Sequence, residues 1–317
     1  MKKVLITRKL LRSNEERISK LWDAKLNLND EIYSQQKIIE LSKGCDGILS
    51  SITDKIDAET INKISDSIKI ISNFAVGFGN IDLKEAKKKN IVVTNTPDVL
   101  TDSTAEIAML LILGAARRAS EGMKSVINKN WKWSADFLIG KQLEGSRLGI
   151  LGMGRIGRAV ALRAKAFGMT IHYHNRSRLK AELESGAKYH KNIQSLFSVS
   201  DFLSINCPAT PETKNIINKT TLEFFPKGAI ITNSARGDMI NDEDMVQALI
   251  NRKIYALGLD VYNGEPDIHP GYLNRPNTFI LPHLGSSTKK TRTAMADLAI
   301  DNIEEFFKTG NCKNVVN

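Results

Sequence analysis

Short apolar runs, mostly β-branched, punctuate the first third of the chain: KVLIT (3–7), DGILS (46–50), IKIIS (68–72) and IVVTN (91–95). Their length and near-continuous hydrophobicity predict short, buried, parallel strands. Polar or amphipathic stretches such as 13–25 and 57–65 separate them. The alternation predicts a βαβ series. The pattern changes at TDSTAEIAMLLILGAARRASEGMKSVINKN (101–130). It predicts one long helix, apolar on most sides and therefore buried, with Ser103 and Glu106 at the spacing of a capping box.

A second βαβ series begins with RLGILGMGRIGRAVALRAKAFG (147–168). Its predicted strands are RLGIL, TIHYH (170–174), DFLSIN (201–206), GAIITN (228–233), YALGLD (255–260) and TFILP (278–282), and STKKTRTAMADLAIDNIEEFFK (287–308) closes the chain as another long helix. That last helix can carry the chain back to the first series. The expected organisation is thus a discontinuous substrate domain, 1–98 plus 287–317, around a dinucleotide-binding domain, 99–286, with the two long helices as the hinge.

Composition narrows the class. The chain has 317 residues, 42% hydrophobic and 25% charged. That suits two ordinary globular domains. No apolar window approaches the length of a membrane span, and MKKVLITRKL reads as a first strand rather than a signal peptide. Cys45, Cys207 and Cys312 are far apart and odd in number, which favours a reducing cytoplasm over a disulfide framework. The net charge of +10 raises nucleic acid as a partner, but the lysines are interleaved with acids and no aromatic cluster accompanies them. They are read as a solvated face that can help collect small anions.

The chemistry starts at Gly152, Gly154 and Gly157, a GxGxxG between an apolar strand and an alanine-rich helix. The first glycine permits the tight turn, the second lets backbone approach a pyrophosphate, and the third allows close helix–strand packing. A ribose-recognising acid belongs about 20 residues further on. Asn175 stands in that place instead, followed by Arg176, Ser177 and Arg178. An amide removes the repulsion of a 2′-phosphate and the arginines offer charged donors, so NADP(H) is preferred, with NAD(H) open if the arginines merely face water. His172 and His174 share a strand face, but no third ligand lies nearby, and no metal site is expected.

Three later segments end strands of the second series: ITNSARGDMIN (231–241), GLDVYNGEP (258–266) and LPHLGSST (281–288). Strand carboxyl ends face the ligand crevice of an open α/β sheet, which would gather Arg236, Glu265 and His283. The three suit reduction of a 2-oxo acid. Arg236 can hold a carboxylate and polarise the oxo oxygen, His283 can protonate that oxygen, and Glu265 can fix the imidazole tautomer.

Several motifs in order, VGFGNIDL (76–83), TPDVLTDSTAE (96–106), GMGRIG (152–157), TPET (210–213), NSARGD (233–238), GLDVYNGEP and PHLGSST (282–288), make the chain resemble the D-isomer-specific 2-hydroxyacid dehydrogenase family over essentially its full length. Within it the likeness is greatest to glyoxylate/hydroxypyruvate reductases. The resemblance implies an α/β fold of two Rossmann/flavodoxin-like domains with parallel sheets, an active site in the interdomain cleft, and a homodimer. It implies Arg236, Glu265 and His283 as the catalytic set, and Val76 and Gly77 as backbone donors to the substrate carboxylate. It places Gly154, Arg155 and Ile156 at the pyrophosphate, and Arg176, Ser177 and Arg178 at the 2′-phosphate. Pro208 and Thr213 fall in the loop beside the cofactor, and Thr104, Ser234, Ala235 and Asp260 around the nicotinamide. Two positions depart from the family: Asn206-Cys207 replaces a common histidine-cysteine pair, and Phe137 stands about where glyoxylate reductases carry a tryptophan that reaches the partner's site. Trp131 and Trp133 lie just upstream.

The expected function is NADPH-preferring reduction of glyoxylate and hydroxypyruvate to D-2-hydroxy acids. The alternatives are D-3-phosphoglycerate or another NAD-linked D-2-hydroxyacid dehydrogenase and, from another class, a nucleotide-sensing, corepressor-like binding protein.

Overall fold

Each apolar run of the first third becomes a strand in the computed structural model, which describes residues 1–317. The order is β1 (Lys3–Ile6), α1 (Arg12–Leu21), β2 (Asp23–Lys25), α2 (Gln35–Ser42), β3 (Gly47–Ser51), α3 (Ala58–Lys63), β4 (Ile70–Phe74), α4 (Leu83–Lys88) and β5 (Val92–Thr94). Strand β4 starts later than its apolar run suggests, because the Ile68 N–H closes a turn on the Ser65 carbonyl. The edge strand β2 is only three residues long and lies at the end of the stretch expected to be helical. A strand so short gives no periodic signal.

Backbone contacts divide the chain into two compact units, Met1–Leu100 with Ser287–Asn317, and Thr101–Ser286. In the first unit the five strands are all parallel, in the order β2-β1-β3-β4-β5. That is the flavodoxin-like arrangement. Its two faces carry separate apolar layers. Ile38, Ile48, Ile61 and Ile71 fill one, and Val4, Ile6, Ile18 and Ile70 fill the other.

The second unit contains α5 (Thr101–Ala116), α6 (Ala119–Ile127), β6 (Arg147–Leu151), α7 (Arg155–Ala166), β7 (Thr170–His174), α8 (Ala181–Glu184), β8 (Lys188–Tyr189), α9 (Ile193–Phe197), β9 (Phe202–Ile205), α10 (Lys219–Leu222), β10 (Ala229–Asn233), α11 (Asp242–Ile250), β11 (Ile254–Leu259) and β12 (Thr278–Ile280). Its parallel sheet runs β12-β11-β10-β9-β6-β7-β8. This is the doubly wound order with one strand added. Winding reverses between β6 and β9, so a crevice opens at their carboxyl ends. The last helix, α12 (Lys289–Thr309), belongs to the first unit, where Ala296, Ala299, Ile300 and Ile303 pack beneath its sheet.

The single helix expected over 101–130 is instead two helices. Arg118 adopts a left-handed backbone with φ 54°, and the Lys141 N–H caps the Ala116 carbonyl at 2.8 Å. A distant segment thus satisfies a carbonyl that would otherwise continue the helix. The capping box is also absent, because α5 already begins at Thr101 and Ser103 sits inside its first turn. Burial is as expected for α5: Ala108, Ile112 and Ala115 share one cluster with Leu148, Ile150 and Val160.

Candidate active site

Strands β10, β11 and β12 are neighbours in the sheet, and Arg236, Glu265 and His283 follow their carboxyl ends. The His283 Nδ1 lies 2.7 Å from Glu265 Oε2. An ionised carboxylate only accepts, so the Nδ1 carries the proton and the Nε2 is left to face a ligand. Burial opposes ionisation of Glu265 and is the largest influence on it. The His283 hydrogen bond and charge, the Tyr262 N–H and the Arg236 guanidinium together outweigh it and lower the pKa. The Tyr262 N–H holds the other oxygen, Oε1, at 2.8 Å, and the Tyr262 hydroxyl donates to the Leu281 carbonyl at 2.6 Å. One tyrosine therefore ties the glutamate's loop to the strand end that leads into His283.

His283 itself has φ 55°. That left-handed conformation costs a β-carbon residue energy. The buried Asp260 holds it there. Its Oδ1 accepts the Leu284 N–H at 2.6 Å and its Oδ2 the Gly285 N–H at 2.8 Å, while the Thr104 hydroxyl donates to the Gly285 carbonyl at 3.2 Å. Burial raises the Asp260 pKa, against the lowering effect of those two N–H donors and of His283. Asp260 and Thr104, expected beside a cofactor, thus direct these polar contacts to the histidine's loop.

Arg236 is presented by a turn knotted on buried Asn233. The Asn233 amide donates to the Arg236 carbonyl at 2.7 Å, and its oxygen accepts the Ala235 N–H at 2.9 Å. The half-buried guanidinium donates to the Ala235 carbonyl at 2.6 Å. Burial lowers its pKa, which Glu265 and Asp238 raise. Gly237 lets this turn approach the next loop: a β-carbon there would collide with the Tyr262 carbonyl and the Asn263 nitrogen.

The glycine-rich turn sits at the β6–β9 reversal. Gly152 has φ 96°, and a β-carbon on it would lie 2.5 Å from the Cys207 nitrogen, so the turn and the segment after β9 fit only without a side chain. Gly157 packs against the Gly152 carbonyl, whereas nothing lies within 4 Å of a β-carbon built on Gly154. That open side lies at the N-terminus of α7, a helix of 12 residues. Such a place fits a pyrophosphate. Asn206 Oδ1 is buried just after β9 without a donor. Burial pushes the neighbouring Cys207 thiol up to about 11. It is a packed rather than a reactive group. The Thr213 hydroxyl donates to the Pro208 carbonyl at 2.9 Å and closes the 208–213 loop on itself.

At the end of β7 the Asn175 side-chain oxygen accepts the Met153 N–H at 2.6 Å, fastening the strand end to the glycine turn. Arg176 and Ser177 are exposed. Arg178 forms a two-pronged pair with Glu184, Nε to Oε1 at 2.8 Å and Nη2 to Oε2 at 3.0 Å. His172 pairs with His190 at 2.8 Å and His174 with the His190 carbonyl, and no group of three or more His, Cys, Asp or Glu side chains could hold a metal ion.

The model of the D-isomer-specific 2-hydroxyacid dehydrogenase NAD-binding domain matches residues 109–285, more than half of the chain. A glycerate dehydrogenase of Hyphomicrobium methylovorum is 41% identical, over 96% of each chain. The chain belongs to the D-isomer-specific 2-hydroxyacid dehydrogenase family. A glyoxylate reductase of Thermococcus litoralis is 37% identical over 99% of this chain and 96% of its own. The solved NADPH-dependent glyoxylate/hydroxypyruvate reductase of Sinorhizobium meliloti, in complex with NADP and malonate, superposes with a TM-score of 0.89 at 30% identity, covering 99% and 96% of the two chains. The protein is accordingly an NAD(P)-dependent D-2-hydroxyacid dehydrogenase that acts on 2-oxo acids. No helix of the dehydrogenase is long and apolar enough to cross a membrane.

In the dehydrogenase's first unit, Val76 and Gly77 follow β4, and buried asparagines fix their backbone. The Asn95 amide donates to the Val76 carbonyl at 2.8 Å and the Asn73 amide to the Gly77 carbonyl at 2.9 Å. Asn73, Asn95, Asn233 and Tyr262 escaped the sequence reading because none carries the chemistry. The last two do fall inside the NSARGD and GLDVYNGEP segments, where a search for orienting residues would have met them.

Glu184 escaped it too, and it carries a pH signature. The Arg178 hydrogen bonds, then that of Tyr173, hold its carboxyl down at about 2, from an ordinary 4.5. A depressed carboxylate contributes stability above its unfolded pKa and loses it as pH falls through the folded one. The difference in Tm between the dehydrogenase and its Glu184→Gln variant should therefore be constant above about pH 5 and shrink as pH falls towards about 2. Thermal scans across that range check it, and a difference that grows with acid would contradict the pairing.

Proposed function

We propose that this dehydrogenase reduces glyoxylate and hydroxypyruvate to their D-2-hydroxy acids and prefers NADPH to NADH. The observation that carries the reading is the 2.7 Å His283–Glu265 hydrogen bond beside the half-buried Arg236. With its Nδ1 committed to Glu265, His283 presents Nε2 as the proton donor to the 2-oxo oxygen. The Arg236 fork suits the substrate carboxylate and polarises that oxygen. When bound, the reduced nicotinamide supplies the hydride to the 2-oxo carbon. The Val76 and Gly77 N–H groups, whose carbonyls are already held by Asn95 and Asn73, serve as donors to the carboxylate.

Gly154, Arg155 and Ile156 take the pyrophosphate, with Pro208 and Thr213 beside it. Thr104, Ser234, Ala235 and Asp260 define the nicotinamide end, where Asp260 acts by holding the loop after His283. For the 2′-phosphate the assignment is Arg176, Ser177 and Arg178, with no acid at Asn175 to repel it. The relative named NADPH-dependent supports that preference. The glycerate dehydrogenase relative fits the same chemistry, since D-glycerate is the reduction product of hydroxypyruvate.

A homodimer completes the proposal. Met123, Val126 and Ile127 of α6, with Trp131 and Trp133, are all more than half exposed. An apolar surface of that kind is costly to leave in water. Phe137, a few residues further along the chain, is 38% exposed.

Side-by-side oxidation of NADPH and NADH with each oxo acid tests the reading. We expect NADPH to give the higher kcat/KM with both substrates. Arg176→Ala should lower kcat/KM for NADPH by about 10- to 100-fold and leave NADH nearly unaffected. A native preference for NADH would return the arginines to solvent and reopen NAD-linked substrates such as D-3-phosphoglycerate. Binding of NADPH without turnover of any 2-oxo acid would favour a nucleotide sensor.

A further inference from the structure

We propose that Glu184 sets how strongly this dehydrogenase distinguishes NADPH from NADH, by holding Arg178 in a neutral pair so that Arg176 supplies most of the net positive charge at the 2′-phosphate. The inference rests on the reading that residues 175–178 meet that phosphate.

The pair is unusually one-sided. The Glu184 side chain is 9% exposed and that of Arg178 65%. Two parallel hydrogen bonds, 2.8 and 3.0 Å, fix the guanidinium edge. A third donor, the buried Tyr173 hydroxyl, reaches the same carboxylate at 2.5 Å and itself accepts the Leu179 N–H at 3.1 Å. The guanidinium carbon also lies 5.9 Å from the Tyr189 ring centre. Arg178 is therefore not a loose cation waiting for an anion. Its carboxylate partner is built into the fold and stays ionised at any working pH.

Arg176 differs. It is exposed, and the one acid it is seen to influence is Glu212, whose pKa falls mainly through its Thr210 hydrogen bond and its own backbone, with the Arg176 charge a further cause. A phosphate beside both arginines meets one compensated guanidinium and one largely uncompensated one. Residual donors on Arg178 can still hydrogen-bond, but the carboxylate behind them offsets much of the guanidinium's attraction for the dianion. Rigid placement of the guanidinium works in the opposite sense, by pre-organising its donors. Hydrogen bonds from a freed arginine are directional only after ordering, whereas the lost negative charge acts at every orientation, so the charge decides the sign.

The test compares dissociation constants of NADPH, NADH and 2′,5′-ADP, a fragment that carries the 2′-phosphate without the nicotinamide, by fluorescence titration and calorimetry. Glu184→Gln should tighten NADPH and 2′,5′-ADP on the order of fivefold and leave NADH within about twofold. The double variant Arg178→Gln/Glu184→Gln, which removes both charges together, should keep the wild-type NADPH-to-NADH ratio within about twofold. Equal changes for both nucleotides in Glu184→Gln, or weaker NADPH binding, would overturn the proposal and leave Glu184 as a brace for the loop. Should that single variant fail to fold, the double variant decides: collapse of its ratio would show that Arg178 contributes net charge, and the proposal falls. An Arg176→Ala enzyme with an unchanged ratio would overturn the underlying phosphate assignment as well, whereas a lowered ratio there beside an unmoved Glu184→Gln sinks this inference alone.

Discussion

Replacing His283 by alanine should lower kcat about 100- to 10,000-fold, the range typical of a lost general acid, while NADPH affinity stays within about threefold. The expectation follows from the separation of tasks in the second unit. His283 sits after β12 with its Nδ1 bound by Glu265, whereas the pyrophosphate turn lies at the β6–β9 reversal. Nothing in the glycine turn depends on the imidazole. The loop that carries it is held by backbone contacts to Asp260 and by Thr104, none of which needs the side chain. Steady-state turnover with glyoxylate, paired with a fluorescence titration of NADPH, separates chemistry from binding. Turnover within about tenfold of the wild type would remove His283 from the proton-donor role.

Arg236→Lys should cost about 100- to 1,000-fold in kcat/KM for the oxo acid, although the charge type is conserved. A guanidinium offers parallel donors to a carboxylate, and an ammonium is a single point charge. Burial adds a second penalty. It already lowers the Arg236 pKa. A guanidinium starts high enough to stay charged in spite of that. A lysine starts lower, so the same burial brings it closer to neutrality. We expect the loss in both KM and kcat, because the residue holds the substrate and polarises the reacting oxygen. A variant that retains near-native kcat/KM would show that the carboxylate is bound elsewhere.

The strands that carry this chemistry were legible because parallel strands buried on both faces are continuous apolar runs, and each candidate catalytic residue lies just beyond one of them. Arg236, Glu265 and His283 could be grouped from sequence for that reason, since each is one strand-to-strand step from the next. What escaped were decisions made at long range. The break after Ala116 is set by a carbonyl that accepts from Lys141, and nothing near residue 116 announces it. The edge strands β2 and β8, three and two residues long, sit in no continuous apolar run, unlike the equally short β5 and β12. Asp260 was legible as a site residue, but not as the clamp on Leu284 and Gly285, because its partners are backbone N–H groups that every residue but proline owns. Arg178 read as a charged donor open to a phosphate. Its partner Glu184 lies a short way along an ordinary polar stretch, and only the fold turns one face of it inward.

Gly237 has a bearing on how mutational surveys of this dehydrogenase would read. The residue has no side chain to offer a substrate, yet the Arg236 turn and the Tyr262–Asn263 backbone meet across its Cα hydrogen. Any larger residue would pry the guanidinium's turn away from the glutamate's loop. A scan scored by activity and one scored by abundance should both mark position 237 as intolerant, because the clash is with backbone, whereas His283 should be marked by activity alone. Agreement between the two maps at position 237 would mark a place where catalytic alignment and folding answer to one steric constraint.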